Sequence, residues 1–304
     1  MIEGATQREV ASGEHSLAVI EAGDHEAPTI VFVHGYPDTK EIWEPVLERL
    51  APSFHVVAYD VRGAGRSSRP RGPAAYDLAR LTEDFAAVID AVSPERPVHL
   101  VGHDWGGIQG WEFAAAPGLR GRLQSFTTIA GPSLEQAGAG VRRLLVAGQL
   151  RAVLGRLRRS WYIVALCVPG GPTIAWRVLL AGGRWRRSLS LERVAVDERY
   201  PAPTLAADGL DGANLYRQNI ARRIFQPRPA ARSSVPVQLI IPEGDRFISG
   251  SYYELAEARA PRVVRRTVPG SHWAPRSQPE LVAEWIGEFA RQTGADPGSQ
   301  RRDP

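Results

Sequence analysis

The sequence predicts an α/β fold: a mostly parallel sheet with helices on both faces and a helical cap inserted into it. Three observations predict it. Short β-branched runs alternate with amphipathic helical stretches from Thr29 to Ala130, and such alternation implies parallel strands joined by crossover helices. The alternation stops over residues 135–230, where the segments are helical, rich in Arg and punctuated by Gly and Pro. It returns from Val237 onward. The simplest organisation is a core of residues 1–134 and 231–292, a helical cap of residues 135–230 and a flexible tail of residues 293–304. Such a cap would cover the carboxyl ends of the strands, where ligands bind in open α/β sheets.

In chain order, Thr29–His34 is a short apolar strand that stops at Gly35. Glu41–Leu50 carries Ile42, Trp43, Val46, Leu47 and Leu50 at helical spacing. Phe54–Asp60 is a second strand, closed by the Gly-rich turn VRGAG. Asp77–Val92 is an amphipathic helix stopped before Pro94. Val98–Gly102 is a third strand, Trp105–Ala116 a helix ended by Pro117 and Gly118, and Ser125–Ala130 a fourth strand. Beyond the cap come the strand Val237–Ile241, a helix near Tyr252–Arg259, the strand Val263–Val268 and a last helix from Pro279 to about Arg291. No internal repeat is found.

Composition narrows the class. With 43% hydrophobic and 23% charged residues the balance is that of a globular chain. The single cysteine, Cys167, excludes an intrachain disulfide or a cysteine-built metal site. The acidic start MIEGATQREV has no apolar core, so no secretory signal is expected. The longest uninterrupted apolar run, Trp161–Val168, is too short to span a bilayer. These features predict a soluble cytoplasmic protein without stable membrane insertion. Residues 135–230 hold 16 Arg against 6 acids. That balance reads first as a solvated, Arg-rich helical surface, and only second as a face for an anionic partner or membrane.

The segment VHLVGHDWGG, Val98–Gly107, carries the chemistry. A strand runs into small residues at 102, 106 and 107 and then into a helix. Such a turn projects its central side chain above the sheet at a helix N-terminus, in the manner of a nucleophile elbow, with Asp104 where a Ser is usual. The helix N-terminus favours the ionised carboxylate. Asp also sets the reaction class. Ser attacking a saturated carbon would leave an ether, whereas Asp leaves an ester that water can cleave. The matching electrophiles are epoxides and alkyl halides.

An ester intermediate needs an oxyanion hole and a base. The backbone N–H groups of Tyr36, in HGYP after the first strand, and of Trp105 are the candidates for the hole. Of seven histidines only His272 follows residue 104, just past the strand Val263–Val268. It is the candidate base. Asp245, after Val237–Ile241, is the candidate orienting acid, with Glu243 as its rival. The loop DVRGAGRSS, Asp60–Ser68, lacks both the Lys-Ser/Thr of a phosphate loop and the full G-x-G-x-x-G spacing. It reads as structural, with Asp60 and Arg62 holding loops together.

Together HGYP, DVRGAGRSS, GHDWGG, Asp245 and His272 resemble the α/β-hydrolase superfamily over residues 10–290, and within it the branch of epoxide hydrolases and haloalkane dehalogenases. The core segments also look like the hydrolase module of two-module chains that add a short-chain dehydrogenase, a module this chain is expected to lack. The resemblance to epoxide hydrolases implies two cap tyrosines that bond the epoxide oxygen. Tyr162, in Ser160-Trp161-Tyr162 seven residues before Pro169, matches the first. Tyr216, in Asn214-Leu215-Tyr216-Arg217, matches the second, with Leu215 where the family carries Trp.

The resulting expectation is a cofactor- and metal-independent epoxide hydrolase that takes a small hydrophobic epoxide, of bulky or aromatic character, and no nucleic acid. A homodimer is compatible with it. Two rivals share parts of the site. A dehalogenase would use the same Asp104, Asp245 and His272, but Tyr36 stands where haloalkane dehalogenases usually carry Asn, and Trp105 where the fluoroacetate type usually carries Arg. A hydrolase-like binding protein without turnover is the other.

Overall fold

The computed structural model describes residues 2, 4–159, 161–228, 232–254 and 256–294. It begins with two strands that the sequence pattern does not announce. β1 (Thr6–Ser12) and β2 (His15–Ala22) pair antiparallel across a turn at Gly13. β3 (Thr29–Val33) is buried along its whole length. The helix expected over 41–50 is a 3₁₀ turn, Lys40–Trp43, followed by α1 (Glu44–Leu50). Then come β4 (His55–Tyr59), α2 (Leu78–Val92), β5 (Val98–His103), α3 (Trp105–Ala115) and β6 (Leu123–Ile129).

Six helices follow before the sheet resumes: α4 (Leu134–Val146), α5 (Leu150–Arg159), α6 (Trp161–Cys167), α7 (Gly171–Leu180), α8 (Arg184–Leu191) and α9 (Leu205–Phe225). β7 (Val237–Pro242), β8 (Val263–Val268), α10 (Ala274–Ser277) and α11 (Pro279–Gly294) complete the described residues. From residue 295 the expected tail lies outside the described residues. The helix expected near Tyr252–Arg259 is instead two 3₁₀ turns, Gly250–Tyr253 and Ala256–Arg259. Tyr253, which ends the first turn, and Ala256, which opens the second, are both buried.

The eight strands form one sheet in the order β1-β2-β4-β3-β5-β6-β7-β8. Only the β1–β2 and β2–β4 pairings are antiparallel; the other five are parallel. Alternate residues of β3 feed opposite cores. Val31 and Val33 pack with Phe85 of α2 and Phe113 of α3, while Ile30 and Phe32 pack with Leu47 of α1 and Ile286 of α11. Burial on both faces explains the unbroken apolar runs of the central strands. From β3 the chain steps one way to β4, then back across to β5. The carboxyl ends of β3 and β5 therefore flank the reversal in strand order, where open α/β sheets leave a crevice for ligands.

Candidate active site

At the end of β5 the chain turns sharply at Asp104, which holds φ 51° and ψ −118°. A positive φ costs an L residue energy and persists only where the surroundings enforce it. The enforcement is close packing. A Cβ on Gly106 would lie 2.0 Å from the Val33 carbonyl oxygen, so α3 can lie this near β3 only with glycine there. A Cβ on Gly35 would come within 2.5 Å of the Asp104 side chain. The loop after β3 is thereby pressed against the carboxylate.

That approach gives Asp104 two different oxygens. Oδ1 accepts the Tyr36 backbone N–H at 2.8 Å. Oδ2 lies 3.6 Å from Nε2 of His272. Trp105 opens α3, so its N–H has no preceding helical carbonyl to satisfy it. Nδ1 of His272 sits 2.8 Å from Oδ2 of Asp245. The other Asp245 oxygen accepts backbone N–H groups from Phe247 and Ile248, both at 2.8 Å. The structure thus brings Asp104, His272 and Asp245 into one line. Glu243, the rival acid, is exposed, and its N–H bonds Val268.

The electrostatics follow the geometry. Burial opposes a charge on His272, but Asp245 and Asp104 outweigh it and lift its pKa well above the usual imidazole value. Burial likewise works against an ionised Asp245, yet His272 and the two N–H bonds hold its carboxyl below the usual range.

Above Asp104 lies a cavity of about 250 Å³, lined by Asp104, Trp105, Tyr162, Tyr216 and Phe247 among others. The Tyr216 ring packs edge-on against Trp105 at 4.9 Å and Tyr36 at 5.2 Å. Tyr162 stands 6.3 Å from Tyr216 and 5.6 Å from Phe247. Burial first, then the nearby Asp104 charge, raise both phenols above their ordinary pKa. They stay neutral donors. Ser160, which precedes Tyr162 in the matched segment, lies outside the described residues. The Tyr36 phenol instead ties the site to the inserted helices. Its OH donates to the Gly209 carbonyl and accepts from the Trp176 indole N–H, each at 2.8 Å.

Two supporting residues carry no role in the sequence patterns. His103 lies 2.9 Å through Nε2 from the His272 carbonyl, and burial lowers its pKa to about 4, which keeps it neutral. Asp38 accepts the Tyr200 hydroxyl at 2.7 Å and the Trp273 indole N–H at 3.1 Å. Burial raises its pKa to about 6. Asp38 tethers the loop after β3 to the His272 loop. Its only sequence signal is its place directly after HGYP.

The loop after β4 is built as its residues suggest. Asp60 accepts the Lys40 N–H and Nζ and the Arg66 N–H, and Arg62 pairs with Asp84 through two bonds of 2.6 Å. Away from the cavity, Glu21, His25 and His55 place possible metal-ligand atoms within 4.8 Å of one another. Glu21 is already engaged there by Arg8 and His55.

Residues 28–275 match the family described as alpha/beta hydrolase fold. The chain is 36% identical over 282 residues to the "Probable oxidoreductase EphD" of Mycobacterium tuberculosis, covering 90% of this chain and 47% of that one. It is 40% identical over 134 residues to "Epoxide hydrolase A" of the same species, covering 43% of this chain and 40% of that protein. The chain thus spans about half the length, or less, of these curated relatives. Among solved structures, an epoxide hydrolase of Bacillus megaterium bound to an inhibitor superposes with a TM-score of 0.77 at 22% identity, covering 93% of this chain and all of that one. At that identity the likeness is one of fold.

Proposed function

The chain belongs to the alpha/beta hydrolase family, with epoxide hydrolases among its relatives, and from that premise we propose that it is an epoxide hydrolase working through an ester on Asp104. One observation carries the reading. The residue on the strained turn is an Asp whose two oxygens face different partners, beneath the phenols of the buried Tyr216 and the half-buried Tyr162, which line the same cavity.

Oδ2 of Asp104 attacks a ring carbon, and the C–O bond of the epoxide breaks. Tyr162 and Tyr216 hold the departing oxygen, and one of them gives it a proton. The product of this step is a hydroxyalkyl ester. Oδ1 is now its carbonyl oxygen, still on the Tyr36 N–H. His272, oriented by Asp245, takes a proton from water, and the hydroxide attacks the ester carbonyl. Tyr36 and Trp105 N–H groups hold the oxyanion as it forms. The ester C–O bond then breaks, protonated His272 gives the departing alkoxide its proton to free a vicinal diol, and the second proton of the water restores the tyrosine. Aromatic and aliphatic walls favour a hydrophobic epoxide.

The test is one turnover in heavy-oxygen water with an accepted epoxide. Label should enter Asp104 and be absent from the first diol. Asp104→Asn should form no adduct, because an amide is a poor nucleophile. Label in the first diol would mean direct attack by water and end the covalent reading.

A further inference from the structure

The helices inserted between β6 and β7 turn the wrong side outward for a water-facing surface. Among the described residues, eleven of the twelve large apolar side chains left exposed lie between Leu145 and Leu191. They recur at helical spacing. α5 exposes Leu150 and Leu154, α6 and the residue after it expose Trp161, Val164 and Val168, and α7 exposes Ile174 and Val178. Each of these helices touches the next. Exposed apolar area of this kind marks an interaction surface.

Charge selects the partner. Residues 142–193 hold eleven Arg and one acid, Glu192. Arg143, Arg151, Arg177, Arg184, Arg187 and Arg193 lie on the same helices or beside them. A second copy of the chain on this face would set like charge against like, since a two-fold interface pairs a patch with itself. An anionic bilayer offers apolar depth and opposite charge together. No described helix is long and apolar enough to cross a membrane; α6 and Gly171–Leu191 qualify only as a pair bent by 117°. The geometry is that of helices lying in an interface. Val164 also lines the cavity while 62% exposed. The wall of the cavity and the apolar face share α6.

We propose that the face formed by α4 to α8 binds anionic lipid bilayers and that a lipid-borne epoxide enters the cavity from the bilayer. The second half rests on the epoxide hydrolase reading; the first does not.

Sedimentation with vesicles tests the first half without turnover. The protein should pellet with vesicles of phosphatidylglycerol and phosphatidylcholine, less with phosphatidylcholine alone, and less again at high salt. The triple variant Val146→Glu, Ile174→Glu, Leu191→Glu should stay in the supernatant. Arg151→Gln, Arg177→Gln and Arg187→Gln should each weaken partitioning by about fivefold, the effect of one basic residue near an anionic surface. The glutamate variant should hydrolyse styrene oxide in solution at the wild-type rate, yet act more slowly on an epoxidised fatty ester held in vesicles. Wild-type protein left in the supernatant at both lipid compositions overturns the proposal. So does a dimer that the glutamates disperse, since the face would then be a self-interface. Protein that pellets but turns over no epoxide supports the surface and sinks the hydrolase reading alone.

Discussion

Asp104 supports a charge on His272, and the proposed reaction would remove that support. In the resting site Asp245 first, and Asp104 after it, raise the His272 pKa against the effect of burial. In the proposed mechanism alkylation would turn the carboxylate into a neutral ester and remove that support. With Asp245 still in place, the His272 pKa should then fall toward its ordinary value, which would favour its acting as a base on the ester. Single-turnover ester hydrolysis should therefore rise with pH along a limb that lies below the His272 titration seen by NMR in the free protein. Coincident values would mean that Asp104 does not tune the base. His272→Gln should alkylate normally and accumulate an adduct of Asp104 in mass spectra. Tyr162→Phe or Tyr216→Phe should slow alkylation roughly 10- to 1000-fold, the range for one catalytic donor. Quenching of tryptophan fluorescence during alkylation reads it. Wild-type rates in both would reduce the tyrosines to packing and move the dehalogenase reading ahead.

β5, the turn and α3 act as one unit that aims Asp104. The aim depends on how closely α3 approaches β3, and Gly106 sets that distance. Gly106→Ala places a methyl against the Val33 carbonyl, which cannot retreat from a central strand. α3 must shift instead. The expected cost is about 1–3 kcal/mol for overpacking, with a loss of turnover larger than the loss of stability implies, because the Trp105 N–H moves with the helix. Thermal melting and pre-steady-state kinetics on the same sample separate the two. A variant that melts early but alkylates at the wild-type rate would show that the elbow tolerates displacement of its helix.

Across the whole molecule, the two phenols ride on inserted helices while the candidate nucleophile belongs to the sheet, so the proposed reaction needs the two parts in register. α9 is fastened to the loop after β4. Asp208 accepts the Gly65 N–H at 3.0 Å and Arg69 at 2.6 Å, and Asp211 accepts Arg69 at 2.9 Å. Asn219 grips the Tyr76 carbonyl and the Leu78 N–H. Tyr216 lies between these anchors. Asp208→Ala removes the first and should lower kcat/KM by about tenfold through misplacement of Tyr216, with α-helical circular dichroism unchanged. An unchanged kcat/KM beside a lowered melting temperature would leave Asp208 a structural tie only.

Much of this molecule is encoded locally. A glycine-flanked Asp between an apolar strand and a helix can be read in one dimension because the turn is built from neighbours. His272 is legible because no other histidine follows Asp104. What depends on distant partners is not legible. β1 lies at the sheet edge and exposes most of its residues, so its polarity is mixed and it does not announce the hairpin it forms with β2. Asp38 and His103 become supports only when Tyr200, Trp273 and His272 arrive from elsewhere in the chain. The same holds for the Arg-rich segment. Its charge is plain in the sequence, but which apolar side chains of α4 to α8 turn inward is decided by packing against α9 and the core. The sequence alone determined the alternation of the sheet and where the candidate nucleophile and candidate base stand in the chain, because these follow from local backbone geometry and chain order. Tertiary structure alone decided which oxygen of Asp104 faces the base and which face of the inserted helices is left outward, because both depend on contacts between residues far apart in the chain.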